Sequence, residues 1–107
     1  MSREPEPAQR NETIRQAIAQ RLRERALTAL EISGEVRIPA KAVLEHLTHL
    51  ERSLAATGER LVVEPATCRA CGRAFLGRSR YTRPSRCPEC KSERISSPRF
   101  SLETRPT

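Results

Sequence analysis

At 107 residues the chain has room for one small domain and a smaller appendage, neither with an extensive core. Its formal net charge is +7 with a pI near 10.2, and every basic side chain except Lys41 and Lys91 is an arginine. No apolar run approaches the roughly 20 residues needed to span a bilayer, and the opening MSREPEPAQRNE has no apolar export segment. The chain is therefore read as a soluble, cytoplasmic protein, and membrane and secreted classes are set aside.

Residues 1–10 read as a flexible leader, because Pro5 and Pro7 alternate with charge and little there is apolar. Asn11 is a candidate cap for a first helix over residues 12–25. Its Ile14, Ala17, Ile18 and Leu22 fall on one stripe, and Arg15, Gln16, Gln20 and Arg23 face out. Thr28-Ala-Leu-Glu31 is a capping-box pattern and opens a short second helix over 29–35, with Ala29, Ile32, Ser33 and Val36 inward. Ser33 and Gly34 are small enough for a second helix to approach closely there. Arg37-Ile38-Pro39 is a break, since proline suits the first position of a new helix.

A third helix over 39–53 carries the stripe Val43, Leu44, Leu47, Leu50 and Leu54. The opposite side holds Lys41, Glu45, Thr48 and Arg52, flanked by His49. Three helices with a tight break before the third form the skeleton of a helix-turn-helix, whose third helix lies in the major groove. In that role Lys41 and Arg52 would meet phosphate or guanine, Thr48 phosphate or base, and Glu45 would accept from cytosine N4. A solvated face on a helical bundle is the plainer reading of the same residues. His46 and His49, at i and i+3, are read as surface histidines and not as metal ligands. Beyond the turn at Ala55–Gly58, residues 59–67 read as extended through Leu61, Val62 and Val63, the place of a wing strand, with Pro65 limiting its pairing. That segment runs into Cys68 without a linker, so the two modules are expected to be rigidly joined.

All four cysteines form two matched pairs, Cys68-Arg-Ala-Cys71 and Cys87-Pro-Glu-Cys90. A Cys-x-x-Cys turn places two sulfurs side by side, and two such turns facing each other supply four soft ligands at tetrahedral angles, which suits zinc. Gly72 follows the first pair, where the turn tends to need positive φ, and Pro88 fixes φ within the second. Two disulfides would imply an oxidising compartment, and a redox pair would need an exposed low-pKa thiol beside a βαβ unit. Iron can occupy the same knuckles; the basic, aromatic-poor surroundings favour zinc. With Cys68, Cys71, Cys87 and Cys90 all bound, no position stays open for water, so the metal is structural. The few apolar residues of this module, Phe75, Leu76, Ile95, Phe100 and Leu102, leave most of its stability to the metal.

The charge is unevenly placed. Residues 1–67 hold ten basic and ten acidic side chains, whereas residues 68–107 hold ten basic against Glu89, Glu93 and Glu103, so the whole +7 excess lies on the metal-binding end. Between the knuckles, Arg78, Arg80, Arg83 and Arg86 surround Tyr81 in a loop suited to gripping phosphates and stacking a base. A solvated arginine-rich surface is the bland alternative; a polyanion surface is the sharper one. No nucleophile and base pair, carboxylate dyad or phosphate-cradling glycine loop is present, so no enzymatic activity is expected.

Over residues 12–102 the chain resembles predicted prokaryotic, largely archaeal, transcriptional regulators in which a winged helix-turn-helix is fused to a rubredoxin-like zinc ribbon. The resemblance rests on Thr-Ala-Leu-Glu-Ile at 28–32, on Val43 to Leu54 with its His-Leu repeat, on Pro65-Ala-Thr-Cys-Arg-Ala-Cys-Gly72, and on Pro84-Ser-Arg-Cys-Pro-Glu-Cys-Lys-Ser92 running to Pro98-Arg-Phe100. It implies a winged-helix fold, zinc on the four cysteines and a role in transcription; with the residue pattern this gives an expected α+β chain with a winged unit over 11–66, a zinc ribbon over 67–103 and a frayed tail at 104–107. The arginine-rich loop is more basic than the family's pattern. A ribbon-centred adaptor for RNA, ribosome or RNA polymerase is the rival to a DNA-binding regulator.

Overall fold

A sheet of three short strands gathers segments from three distant parts of the chain. The computed structural model describes residues 7–76 and 81–104. In order its elements are α1 (Pro7–Glu24), β1 (Leu27–Thr28), α2 (Ala29–Val36), α3 (Ala40–Leu54), β2 (Glu59–Glu64) and β3 (Arg99–Thr104). β3 is the middle strand, antiparallel to β1 on one side and to β2 on the other, with Leu27 opposite Phe100 and Leu61 opposite Leu102. The class is α+β, three helices with a small antiparallel sheet.

The cysteine-bearing segment, residues 65–98, is an excursion between β2 and β3. β3 falls inside the stretch expected to be ribbon alone, and Thr104, expected to begin a frayed tail, pairs with Glu59. The cause is hydrophobic. Phe100 is 0 % exposed and Leu102 is buried, both in the core of the helical unit, while Arg99 and Glu103 on either side of them face water and Ser101 between them is half-buried. Arg99-Phe-Ser-Leu-Glu-Thr104 has the two-residue alternation of a half-buried strand, a signal that the nearby cysteines overshadowed.

α1 begins at Pro7, so residues 7–10 are helical where a leader was expected, and Asn11 lies inside the helix and does not cap it. Proline is at home in a first turn, and Ala8, Gln9 and Arg10 are good helix formers. Ile18, Ala19 and Leu22 are buried and Ile14 packs beside them. Arg15, expected to point outward, is half-buried, and its Nε donates to Nδ1 of His46 at 3.2 Å. His46 is correspondingly a buried residue of α3 and not a surface one.

The capping box is present in both directions: Thr28 Oγ1 accepts from the Glu31 amide at 3.2 Å, and the Thr28 amide donates to Glu31 Oε1 at 2.9 Å. α2 ends at Arg37, left-handed with φ 57°. The amides of Arg37 and Ile38 both donate to the Ser33 carbonyl, and the Ser33 hydroxyl donates to the Ile38 carbonyl. Ser33 thus closes the turn between α2 and α3. Gly34 is exposed, and a Cβ there would meet nothing within 4 Å, so its small size serves no close helix approach. α3 starts one residue past its extended N-cap, Pro39, and buries Val43, His46, Leu47, Leu50 and Leu54.

Two contacts position the later parts of the chain. Arg23 at the end of α1 donates twice to Glu59 at the start of β2, at 2.7 and 2.8 Å. The Tyr81 ring, from the loop between the cysteine pairs, stacks on Phe100 with centroids 5.9 Å apart and planes at 17°. This aromatic contact joins the ribbon to the helical core. No described helix is long and apolar enough to cross a membrane.

Burial, and then the Arg15 guanidinium, hold the His46 pKa below its ordinary 6.5. In the interval between that lowered value and 6.5 the unfolded chain binds a proton that the folded chain refuses, so stability falls as pH drops through it. Chemical denaturation from pH 7.5 to 5 is expected to show this slope in the wild type. His46→Gln, which keeps an acceptor but does not titrate, should show a shallower one.

Candidate metal centre and nucleic-acid interface

Each cysteine pair is a tight turn closed by its own backbone. In the first, the Gly72 amide donates to the Cys68 carbonyl and the Cys68 amide to the Arg73 carbonyl, both at 2.8 Å; in the second, Lys91 to Cys87 and Cys87 to Ser92 repeat the pattern at 2.8 Å. The fifth position of each turn is left-handed: Gly72 has φ 81° and Lys91 has φ 65°. The glycine was legible in sequence. Lys91 was not, although aligning Cys-Pro-Glu-Cys-Lys with Cys-Arg-Ala-Cys-Gly puts it in the same place.

The turns bring all four sulfurs within 4.8 Å of one another. Cys68 and Cys90 Sγ are 3.5 Å apart and Cys71 and Cys87 Sγ 3.7 Å. A disulfide requires about 2.05 Å, whereas zinc bonded to sulfur at about 2.3 Å gives a tetrahedral edge of about 3.8 Å. The amides of Cys71 and Ala70 donate to Cys68 Sγ and bring its pKa down to about 6. Those of Cys90 and Glu89 lower Cys87 in the same way. For Cys90 the Ser92 amide pulls downward, but the neighbouring thiols and burial prevail and push it up to about 12. Four thiolates this close repel, and a central dication lets all of them ionise together. Cys68, Cys71, Cys87 and Cys90 therefore fit zinc with no fifth ligand.

Around the sulfurs, Ala66, Phe75 and Ile95 join Cys68 and Cys87 in a small separate core. Arg73 lies 5.8 Å over the Phe75 ring and pairs with Glu89, linking one knuckle to the other. Thr67 bridges to Ala74 and Cys68 to Ile95, the only pairing that gives the ribbon its hairpin character among the described residues.

The sequence-derived contact residues divide into two groups. Lys41, Glu45, Thr48, His49 and Arg52 all lie exposed on α3, and the Thr48 hydroxyl donates to the Leu44 carbonyl at 3.0 Å. Of the loop residues, Arg78 and Arg80 lie outside the described residues. Arg86 is exposed and 4.0 Å from Glu93. Arg83 is exposed, and its Nη1 donates to the Ile95 carbonyl at 3.4 Å. One face of the Tyr81 ring is stacked on Phe100, so this residue takes part in packing. Ala40, Lys41 and Leu44 line one cavity with Tyr81, Arg83 and Pro98, which sets the ribbon beside the N-terminal half of α3.

An α+β unit of three helices and a three-stranded antiparallel sheet, with a four-cysteine zinc ribbon set between its last two strands, is the class that this fold and site define. Two family models match the chain: PF0610-like, N-terminal, over residues 13–62, and the PF0610 rubredoxin-like zinc β-ribbon domain over residues 65–105. The solution NMR structure of protein PF0610 from Pyrococcus furiosus is 33 % identical, covers 98 % of each chain and superposes with a TM-score of 0.72. The chain belongs to the PF0610-like family. Among curated proteins none matches it.

Purified protein is expected to hold one zinc per chain, measured by elemental analysis, and stripping it with a strong chelator should abolish cooperative unfolding of the ribbon and lower Tm. An unchanged melt after complete removal would contradict the site. A left-handed non-glycine residue costs about 1–2 kcal/mol, so Lys91→Gly should raise stability by about 1 kcal/mol, read as a Tm increase of about 4–8 °C.

Proposed function

We propose that this protein is a non-catalytic, cytoplasmic DNA-binding transcriptional regulator, with α3 reading base edges and the basic ribbon holding the phosphate backbone. The observation that carries the reading is the outer face of α3. Lys41, Glu45, Thr48, His49 and Arg52 stand exposed on it, and among the described residues no ion pair involves any of the five. In a helix-turn-helix this is the face that enters the major groove. Lys41 and Arg52 suit guanine or phosphate, and Glu45 suits the amino group of cytosine.

That face is close to neutral, so affinity has to come from elsewhere, and the +7 excess beyond Cys68 supplies it. The zinc has a structural part in this reading, since four thiolates complete its tetrahedron and leave no place for a reacting water.

Binding of a mixed-sequence duplex, followed by anisotropy across a salt series, tests the electrostatic half. If about five phosphates are neutralised, log K falls against log salt with a slope near −4 to −5. A flat response would favour a protein partner, as in an adaptor for ribosome or RNA polymerase. Selection from random DNA tests the other half: Arg52→Ala or Glu45→Ala is expected to alter the preferred site, and unchanged preference in both would remove α3 as the reader.

A further inference from the structure

The ribbon carries a cross-strand pair that works against its own stability. The Cys68 to Ile95 bridge is flanked by a hydrogen bond from the Arg69 amide to the Arg94 carbonyl at 2.8 Å, so Arg69 and Arg94 hold opposite positions on the paired backbone. Like charges placed opposite on paired strands repel. Both side chains are exposed, and among the described residues neither is in an ion pair. Elsewhere in the same segment Arg73 pairs with Glu89, Arg86 with Glu93, and Arg99 with Glu31. Carboxylates are thus distributed to other arginines and withheld from this pair.

Arg69 and Arg94 also line a cleft of about 310 Å³ together with Arg83, Ser96 and Ser97. Glu93 is the one acid on its wall, and it is turned toward Arg86 at 4.0 Å. Arg83 is shared with the neighbouring cavity of about 290 Å³, whose opposite wall includes Lys41 and Leu44 of α3. A path of positive charge therefore runs from the first turn of α3 through Arg83 to the arginine pair. Three guanidiniums with hydroxyls beside them are suited to phosphate oxygens, and their fork geometry favours two-pronged contact.

We propose that Arg69, Arg83 and Arg94 form a clamp on the phosphate backbone of duplex DNA, continuous with Lys41, which sets the register of α3 in the adjacent groove. This rests on the DNA-binding reading and adds to it the residues that anchor the strand. The arginines at opposite positions are the part that sequence spacing did not indicate, because they come together only when the two knuckles close.

The test is duplex binding across a salt series with full-length, zinc-loaded protein. Arg69→Ala/Arg94→Ala is expected to weaken binding at about 0.1 M salt by tenfold or more and to make the log K against log salt slope shallower by about 2, one for each lost phosphate contact. Arg25→Ala/Arg60→Ala removes the same charge from residues paired with Glu35 and Glu103, and should leave the slope unchanged. Equal losses in the two double variants would reduce the effect to net charge and overturn the clamp. Should the first double variant lose its zinc or its cooperative melt, Arg94→Ala alone carries the test, with a slope change of about 1 expected. Wild-type binding with an unchanged slope in the arginine variants overturns the clamp only, whereas no duplex binding by the wild type overturns the regulator reading with it. Tighter binding of single-stranded RNA than of duplex, lost in the same variant, overturns the assignment to DNA.

Discussion

The pairing of β2 with β3 across the whole ribbon is the constraint on which the rest of the molecule depends. β3 is the central strand, and its Phe100 fills the space between the helices and the sheet. To reach that place the chain must leave β2 at Glu64, traverse the ribbon and return at Arg99. Closing so long an excursion costs entropy. The four-sulfur site offsets part of that cost by holding the turn at Cys68–Cys71 against the turn at Cys87–Cys90. Metal binding in the ribbon and burial of Phe100 in the helical unit are therefore coupled through the chain itself.

The same connection determines where the ribbon lies. Tyr81 reaches out of the loop between the knuckles and stacks on Phe100, so the ribbon rests against the helical unit at the residue that anchors β3. Arg83 follows two residues later and faces the cavity beside Lys41. Packing at Tyr81 thus orients a charged surface next to the exposed face of α3. Tyr81 thereby contributes to the geometry that holds the arginines.

Polar groups at the joints have similarly specific tasks. Ser33 uses its carbonyl and its hydroxyl to close the turn from α2 to α3, and that turn sets the angle at which α3 is presented. His46 accepts from Arg15 within the interface between α1 and α3, an arrangement that holds only while the imidazole is neutral. Surface ion pairs such as Arg23 with Glu59 add little individually. In the helical unit they occupy Arg21, Arg23, Arg25 and Arg60, while among the described residues Lys41 and Arg52 of α3 and Arg69 and Arg94 of the ribbon are in no ion pair.

Local rules sufficed wherever cause and effect lie a few residues apart. The capping box at Thr28 and Glu31, the stripe from Val43 to Leu54, the glycine after Cys71 and the convergence of two Cys-x-x-Cys turns are all set by neighbours in sequence, and each was legible there. Tertiary structure alone decided that Phe100 and Leu102 belong to the helical core, that Tyr81 stacks inward, that His46 is buried, and that Arg69 lies opposite Arg94. In those cases the partner is remote in the chain, and its identity follows from which apolar surfaces can be covered together once the metal has drawn residues 68 and 90 into contact.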